Sequence, residues 1–408
     1  MDNRQYPTLA WQFIVDIQDT HGKDRDTERM KKILAHFTDF NHRPERRKAD
    51  TFGALGYYRT FKPAKQMQKY DVEIVGTGID KYGSDFLGNW SNIFKKYDIV
   101  WIMHHFGEHN AAAQSFMRDR YKKKLVYDLD DNYLDVPESN PTYETFKKTK
   151  RSRAILSTMF FFADALTVST EPLKERLDKH FYDVHGIKKP IFIIPNMNDI
   201  KDWQYTPVAK HTDKIIIGYA GSNSHKEDIN LVLPVIDKLM KKYPTLELHI
   251  AGVIDKTQLG EYFSTFTKKH LERVAMLPVT PTFWEYPKYL SEMQWDIGIA
   301  PLVDTPFTRS KSHIKWMEYG SYEIPTVASR VYPYFMDLCG RDTIVDGETG
   351  FLCRTQDEWY SKLERLILDK GLRQRIGRQA YEAIVRDWQY SSFDVDAVFD
   401  KIAQLRPI

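Results

Sequence analysis

Short apolar runs rich in β-branched and aromatic residues alternate along the chain with longer amphipathic stretches. This alternation predicts parallel sheets covered by helices. In the first half, residues 145–162 predict a helix with basic and apolar faces. The strands predicted there are Trp11–Asp16, Asp71–Val75, Ile99–Met103, Lys124–Leu129, Ala165–Val168 and Ile191–Ile194.

A polar stretch from Asp199 to Lys214 separates this series from a second one. The second series predicts strands at Ile215–Tyr219, Leu246–Ala251, Val274–Leu277, Ile297–Ala300, Thr326–Ala328 and Gly350–Cys353. Two doubly wound units predict two Rossmann-like domains that face each other across a cleft, with ligands at the carboxyl ends of the strands. We expect domains at residues 1–200 and 215–385, a linker at 201–214, and a C-terminal helix at 386–408 that returns to the first domain.

Length and composition narrow the class of protein. A chain of 408 residues exceeds what one hydrophobic core usually supports, and its 42% of hydrophobic residues excludes a disordered chain. The two cysteines, Cys339 and Cys353, are too few for a disulfide framework, which favours a reducing compartment. The N-terminus does not resemble a secretory leader and no apolar run is long enough for a membrane span, so we expect a soluble, cytoplasmic protein.

Positive charge is concentrated in the first half of the chain. Residues 1–190 hold 32 Lys and Arg against 27 Asp and Glu. The basic residues cluster at 43–48, 122–124 and 147–153. Such clusters are typical of solvated surfaces, and together they would also attract a polyanion.

The first candidate site follows the strand predicted at Ile215–Tyr219. Gly221, Ser222 and Lys226 lie in the turn between this strand and a predicted helix. A glycine turn exposes backbone N–H groups and the positive end of the helix, which suit a phosphate, and Lys226 adds a positive charge. The spacing is neither that of a P-loop nor Gly-x-Gly-x-x-Gly.

The second candidate site lies in residues 301–320. The spacing from Lys311 to Lys315 and Glu318 predicts that these three side chains share one face of a helix. Two ammonium groups and a carboxylate on one face suit a diphosphate and the hydroxyl groups of a ribose.

Residues 217–329 contain three motifs: Gly218-Tyr-Ala-Gly-Ser-x-Ser-His225-x-x-Asp228, Asp296-Ile-Gly-Ile-Ala-Pro301-Leu and Phe307-x-Arg-Ser-Lys-Ser-x-Ile-Lys-Trp-Met-Glu-Tyr319. These motifs carry a resemblance to the donor-binding domain of glycosyltransferase family 4, whose members have the GT-B architecture of two Rossmann-like domains. Asp346-Gly-Glu-Thr-Gly-Phe-Leu352 extends it, and Gly56-Tyr-Tyr-Arg59, Asp128-Leu-Asp-Asp131 and Ile194-Pro-Asn196 are looser matches in the first half.

The resemblance implies roles for the candidate residues. Glu318 would hydrogen-bond the ribose of a nucleotide sugar, and Lys226, Lys311 and Lys315 would hold its diphosphate. Ser310 stands where the family usually has a carboxylate that contacts the donor sugar, and Ser222 stands where an arginine is frequent. The contacts to the donor sugar therefore stay open. The resemblance also implies transfer with retention of anomeric configuration, a UDP-linked donor, and no essential cofactor or metal.

Two groups in the first half are candidates for the side that binds the acceptor. His104 and His105 follow the strand Ile99–Met103, where family members often place a histidine near the transferred sugar, and either of the two could face the cleft. Asp128, Asp130 and Asp131 accompany the next strand; a metal-binding motif of this kind belongs to a different fold. We therefore interpret Asp130 as a cleft residue for an acceptor hydroxyl and Asp128 as structural.

These observations predict a retaining GT-B glycosyltransferase that moves a hexosyl or pentosyl group to a saccharide or glycoconjugate. A phage-type enzyme acting on a hydroxymethylated base of double-stranded DNA, in the host cytoplasm, is an alternative that the basic clusters and many tyrosines would suit. A sugar-nucleotide epimerase on the same scaffold and a non-catalytic nucleotide- or nucleic-acid-binding protein are further alternatives.

Overall fold

The computed structural model describes residues 30–37, 53–76, 86–103, 108–147, 151–207, 213–252, 262–278, 283–336 and 342–406. These residues form two six-stranded parallel sheets with helices packed on them. We call residues 30–207 the front half and residues 213–406 the rear half. Each half contributes one sheet.

The front strands are β1 (Lys32–Phe37), β2 (Asp71–Gly76), β3 (Ile99–Met103), β4 (Lys124–Leu129), β5 (Ala165–Val168) and β6 (Ile191–Ile193). The front helices are α1 (Ala54–Gly56), α2 (Lys62–Gln66), α3 (Phe86–Lys96), α4 (Glu108–Tyr121), α5 (Tyr143–Phe146), α6 (Arg151–Phe162) and α7 (Glu171–His185). A π-helical turn, Tyr57–Phe61, joins α1 to α2. The strand order is β2-β1-β3-β4-β5-β6, with every neighbouring pair parallel.

The rear strands are β7 (Ile215–Ala220), β8 (Leu246–Ala251), β9 (Val274–Leu277), β10 (Ile297–Ala300), β11 (Thr326–Ser329) and β12 (Phe351–Cys353). The rear helices are α8 (Lys226–Lys242), α9 (Lys268–Leu271), α10 (Glu285–Glu292), α11 (Pro306–Arg309), α12 (Ile314–Gly320), α13 (Tyr332–Phe335), α14 (Gln356–Leu368), α15 (Lys370–Asp387) and α16 (Val395–Gln404). The strand order is β12-β11-β10-β7-β8-β9, again with parallel neighbours. The order reverses between β7 and β10, and ligands of such sheets bind at the carboxyl ends of the strands beside this reversal.

The first strand differs from the prediction. Trp11–Asp16 lies outside the described residues, whereas β1 lies second from one edge of the front sheet and pairs with both β2 and β3. Ile33 and Ala35 are fully buried there. The apolar run of β1 is short, lysines precede it and His36 interrupts it, so the sequence gives only a weak signal for this strand.

The helix predicted at 145–162 is also corrected. α6 begins only at Arg151, and α5 is a separate short helix that ends at Phe146. Residues 148–150, between the two helices, are outside the described ranges.

The chain crosses between the halves twice, and both crossings are packed. After β6, a 3₁₀ turn at Ile200–Trp203 buries Trp203, whose ring lies edge-on to Phe283 and Tyr286 of the rear half. After α15 the chain returns to the front half, where α16 packs against α2. Its Asp396 carboxylate accepts hydrogen bonds from the backbone N–H groups of residues 68 and 69.

Candidate active site

A glycine turn follows β7 at the reversal of the rear sheet. The Gly221 N–H donates to the carbonyl of Ala251 at the end of β8, 3.0 Å away, which fixes the turn to its neighbouring strand. A Cβ at position 221 would lie 2.8 Å from the Tyr219 hydroxyl, so only glycine fits without displacement. Ser222 is exposed, and its hydroxyl lies 2.6 Å from that of Ser224.

Lys226 begins α8, but its ammonium group lies 5.4 Å from the centre of the Tyr262 ring. This arrangement places a cation beside an aromatic face. The sequence predicts a phosphate ligand here, and that assignment stays a prediction.

The segment with Lys311, Lys315 and Glu318 is not one helix, which corrects the predicted helical face. α11 ends at Arg309 after a capping box made by Thr305 and Thr308, and α12 begins at Ile314. Lys311 therefore lies in the non-helical link between the two helices. The link nevertheless brings it close enough to Lys315 that its charge helps to lower the pKa of Lys315, and the charges of both lysines act on His225.

Lys311 reaches across to the front half. Its Nζ donates to Oδ1 of Asp131, 2.9 Å away, and lies 4.5 Å from the centre of the Phe307 ring. Burial by itself would lower the pKa of Lys311, but Asp131, then Asp130 and Asp228, raise it above its ordinary value. Lys311 is a stable cation.

The surroundings of Lys315 and Glu318 favour the uncharged form of each side chain. Burial, with the nearby Lys311 charge, lowers the pKa of Lys315, although Glu318 opposes the shift. Burial raises the pKa of Glu318 to about 7, and Lys315 and two tyrosine hydroxyls only partly offset this. Those hydroxyls are Tyr58 on the front half, 3.2 Å from Oε1, and Tyr286 on the rear half, 3.1 Å from Oε2.

His225, to which the sequence motifs assign no role, also belongs to this cluster. His225 Nδ1 lies 2.7 Å from Oδ2 of Asp228, and the other oxygen of Asp228 accepts from the Val303 N–H, also 2.7 Å away. Val303 follows β10, so Asp228 ties the start of α8 to the second strand beside the reversal. The signal in the sequence is the His-x-x-Asp spacing at a helix start.

Ser310 is turned into the protein. Its side chain is buried, and its hydroxyl donates to the carbonyl of Pro306 and accepts from the Asn132 amide of the front half. Its backbone carbonyl accepts from the hydroxyl of Thr170, which also caps α7. Ser310 therefore helps to join the two halves in this conformation.

The front half presents the carboxyl ends of β4, β5 and β6 to the rear half. Asp128 is fully buried in a two-point ion pair with Arg59 and also accepts from Thr167. Asp130 is half-buried, and its charge contributes to the raised pKa of Lys311. His104 and His105 lie outside the described residues.

Asn196 connects the buried Arg59 to the rear half. Its side-chain oxygen accepts from Arg59, and its amide nitrogen donates to the hydroxyl of Ser312, 2.8 Å away. The guanidinium thereby fixes which way the amide points. A pocket beside this contact is lined from both halves, by Ser169, Thr170, Asn196, Lys311, His313 and Trp388 among others.

Within the described ranges, no group of three His, Cys, Asp or Glu side chains is arranged to hold a metal ion. In the same part of the chain, no helix combines the length and hydropathy of a membrane span.

Residues 204–383, a little under half of the chain, match the family model described as glycosyl transferases group 1. No curated protein sequence matches the chain. Solved structures do: trehalose-6-phosphate synthase OtsA (12% identity, 93% of this chain, 100% of that chain, TM-score 0.60) and Anabaena Alr3699/HepE in complex with UDP and glucose (13%, 91%, 98%, 0.58). TarM also matches (17%, 78%, 0.55), and the chain spans 58% of the length of TarM. These likenesses confirm the predicted GT-B fold.

Proposed function

We propose that the chain transfers a glycosyl group from a UDP-linked sugar to a hydroxyl of a saccharide or glycoconjugate, with retention of anomeric configuration. In this proposal residues 215–385 bind the donor and residues 1–200 bind the acceptor. The observation behind this proposal is that Lys311, Lys315 and Glu318 gather near the reversal of the rear sheet, partly or fully buried. Lys311 and Glu318 also contact the front half, through Asp131 and Tyr58. The likeness to a structure solved with UDP and glucose supports the choice of donor.

The proposed donor pose follows from the charges. The diphosphate lies between Lys311, Lys315 and the glycine turn at Gly221, and Glu318 accepts a hydrogen bond from the ribose. The acceptor oxygen bonds to the anomeric carbon as the bond from that carbon to the β-phosphate oxygen breaks, and the proton of the acceptor hydroxyl passes to the leaving diphosphate. Because negative charge grows on the leaving diphosphate, cations already held in a buried site stabilise the transition state more than they would in water. On the acceptor side we assign Asp130, with His104 or His105 near the transferred sugar.

The test is nucleotide release from a panel of nucleotide sugars, with and without saccharide acceptors. Lys311→Ala and Glu318→Gln should each lower turnover by about 10- to 150-fold, since each removes a charged contact of about 1.5–3 kcal/mol made in the transition state. The matched control is Lys123→Ala, which removes a lysine paired with Asp98 away from the cleft. We expect this variant to retain wild-type turnover.

Unchanged donor binding in both cleft variants would remove the assignment of these residues. The anomeric configuration of the product, read by NMR, tests retention separately. Nucleotide release that needs no acceptor and yields an altered sugar nucleotide would favour the epimerase, and binding without release would favour a non-catalytic protein.

The described residues supply no observation that favours DNA as the acceptor. In the basic cluster at 122–124, Lys123 pairs with Asp98, and Lys124 lies near the buried Asp164. Lys147 pairs with Glu144. A duplex-binding assay over a salt series is the direct test, since phosphate contacts make affinity fall steeply with salt.

A further inference from the structure

The pair formed by His225 and Asp228 lies where the donor phosphates are proposed to bind. Asp228 is held at both oxygens, by the His225 ring and by the Val303 N–H. The imidazole is therefore fixed in direction: Nδ1 faces the carboxylate, and Nε2 faces away from it. Both side chains are largely buried, with 11% and 7% of their surfaces exposed.

The charged groups that act on His225 come from three places. Asp228 lies in the first turn of α8, directly after His225, Lys315 lies on α12, and Lys311 lies on the link before α12. Burial, then Lys315 and Lys311, lower the pKa of His225 to about 4 against the opposing effect of Asp228. At neutral pH the ring is thus uncharged, with a proton on Nδ1 for Asp228 and a lone pair on Nε2.

An anion changes this balance, because it cancels the repulsion from the two lysines. We propose that His225 is the proton-accepting member of the diphosphate subsite: it takes a proton from solvent onto Nε2 when the diphosphate binds, and then donates a hydrogen bond to it. This inference rests on the proposed function, since it needs the diphosphate to lie between His225, Lys311 and Lys315.

The proton gives the site a positive charge that exists only while the anion is bound. It comes from solvent when the donor binds and returns to solvent when the nucleotide leaves, so it is not consumed. During transfer the imidazolium stabilises the negative charge that grows on the leaving group. A side chain at position 225 that is always positively charged would instead be buried beside two lysines even when no anion is bound.

The experiment is isothermal titration of wild type with UDP at pH 7 in buffers of different ionisation enthalpy, which counts the protons taken up. UDP contributes its own protonation change equally in every variant, so the difference from His225→Gln isolates the imidazole. Wild type should take up about one proton more per bound UDP than His225→Gln. The affinity of wild type relative to this variant should also be greater at pH 6 than at pH 8.

His270→Gln is the matched control. His270 forms the same kind of pair, with Nδ1 2.6 Å from Oδ1 of Asp237, at the start of α9. Its proton uptake should equal that of wild type. If His225→Gln does not fold, Asp228→Asn is the second variant, because it removes the carboxylate that orients the ring while keeping an oxygen for Val303; it too should lower the uptake.

Equal proton uptake in wild type and the His225 or Asp228 variant overturns this inference and leaves the proposed function standing. A wild-type protein that binds neither UDP nor another nucleoside diphosphate overturns both.

Discussion

Two clusters of buried charge face each other in this molecule, and they differ in how completely they are paired. In the front half, Arg59 and Asp128 are both inaccessible to solvent and make a two-point ion pair, at 2.9 and 2.7 Å. Burial by itself would lower the pKa of Arg59, but Asp128 raises it above its ordinary value. In the rear half the net shift is the opposite one: burial outweighs the partner charges, and the pKa values of Lys315 and Glu318 each move towards the neutral form.

The difference in pairing distinguishes a structural framework from the proposed binding site. A buried pair whose hydrogen bonds are complete holds β4 and the chain after β6 in place, and it offers nothing to a ligand. A cluster whose charges are disfavoured in the folded protein is stabilised by a ligand of complementary charge, which is why strongly shifted pKa values are frequent at functional sites. The same kinds of side chain thus serve two purposes according to their pairing.

The largest expected effect comes from a substitution that breaks the ion pair of the front cluster. Arg59→Met leaves the Asp128 carboxylate buried without its cation, so the free energy of unfolding should fall by about 3–5 kcal/mol. Urea denaturation measures this. The control is Arg386→Met, whose exposed pair with Asp387 should matter by less than about 0.5 kcal/mol. If both variants are equally stable, the front cluster is no framework.

The next effect is a pH dependence that arises in the rear cluster. The pKa of Glu318 is about 4.5 in the unfolded chain and about 7 in the folded protein, so between these values the folded state binds more protons. Its contribution to stability is therefore complete below pH 4.5 and is lost as the pH rises to about 7, by about 3 kcal/mol. Glu318→Gln should remove this loss, seen as a smaller difference in urea midpoint between pH 5 and pH 8 than in wild type. An unchanged difference would place the titration on another group.

Sequence patterns predicted the strands of both sheets except β1, since a fully buried parallel strand is usually marked by its own apolar residues, as in Ile297–Ala300. They did not predict the link that carries Lys311. Helical spacing continues through Ser310, and the break depends on Thr305 capping a helix of only four residues. The Ser-Lys-Ser-His run after Arg309 was the available signal, because serines favour caps and turns.

Local sequence patterns could not predict the contacts between residues that are far apart in the chain. Arg59 is 69 residues from Asp128, and Tyr58 is 260 residues from Glu318. Only the completed fold brings such residues together, since neither carries information about its partner. The resemblance identified Glu318 and the lysines, but it gave no indication that a front-half hydroxyl contacts the same carboxylate.

A smaller effect on stability is expected at Lys315, and it contrasts the rear cluster with Arg59 of the front cluster. Lys315→Met replaces a cation whose charged form is disfavoured by burial, so the urea midpoint at pH 7 should equal or exceed that of wild type, by up to about 1 kcal/mol in unfolding free energy. UDP affinity should fall at least about 10-fold in the same variant, measured by titration calorimetry. A clear loss of stability would show that Lys315, like Arg59, belongs to the framework.

The smallest expected effect concerns the bond that joins the clusters across the cleft. Tyr58→Phe removes the hydroxyl that donates to Glu318, which should cost about 1 kcal/mol of stability and raise the pKa of Glu318 further, because that hydrogen bond favours the charged form. Tyr286→Phe removes the equivalent bond within the rear half and should raise the pKa in the same direction. The pH dependence of the urea midpoint measures both. If only the Tyr286 variant shifts it, the Tyr58 contact does not act on Glu318, and the front half affects the rear cluster through Lys311 and Asp131 instead.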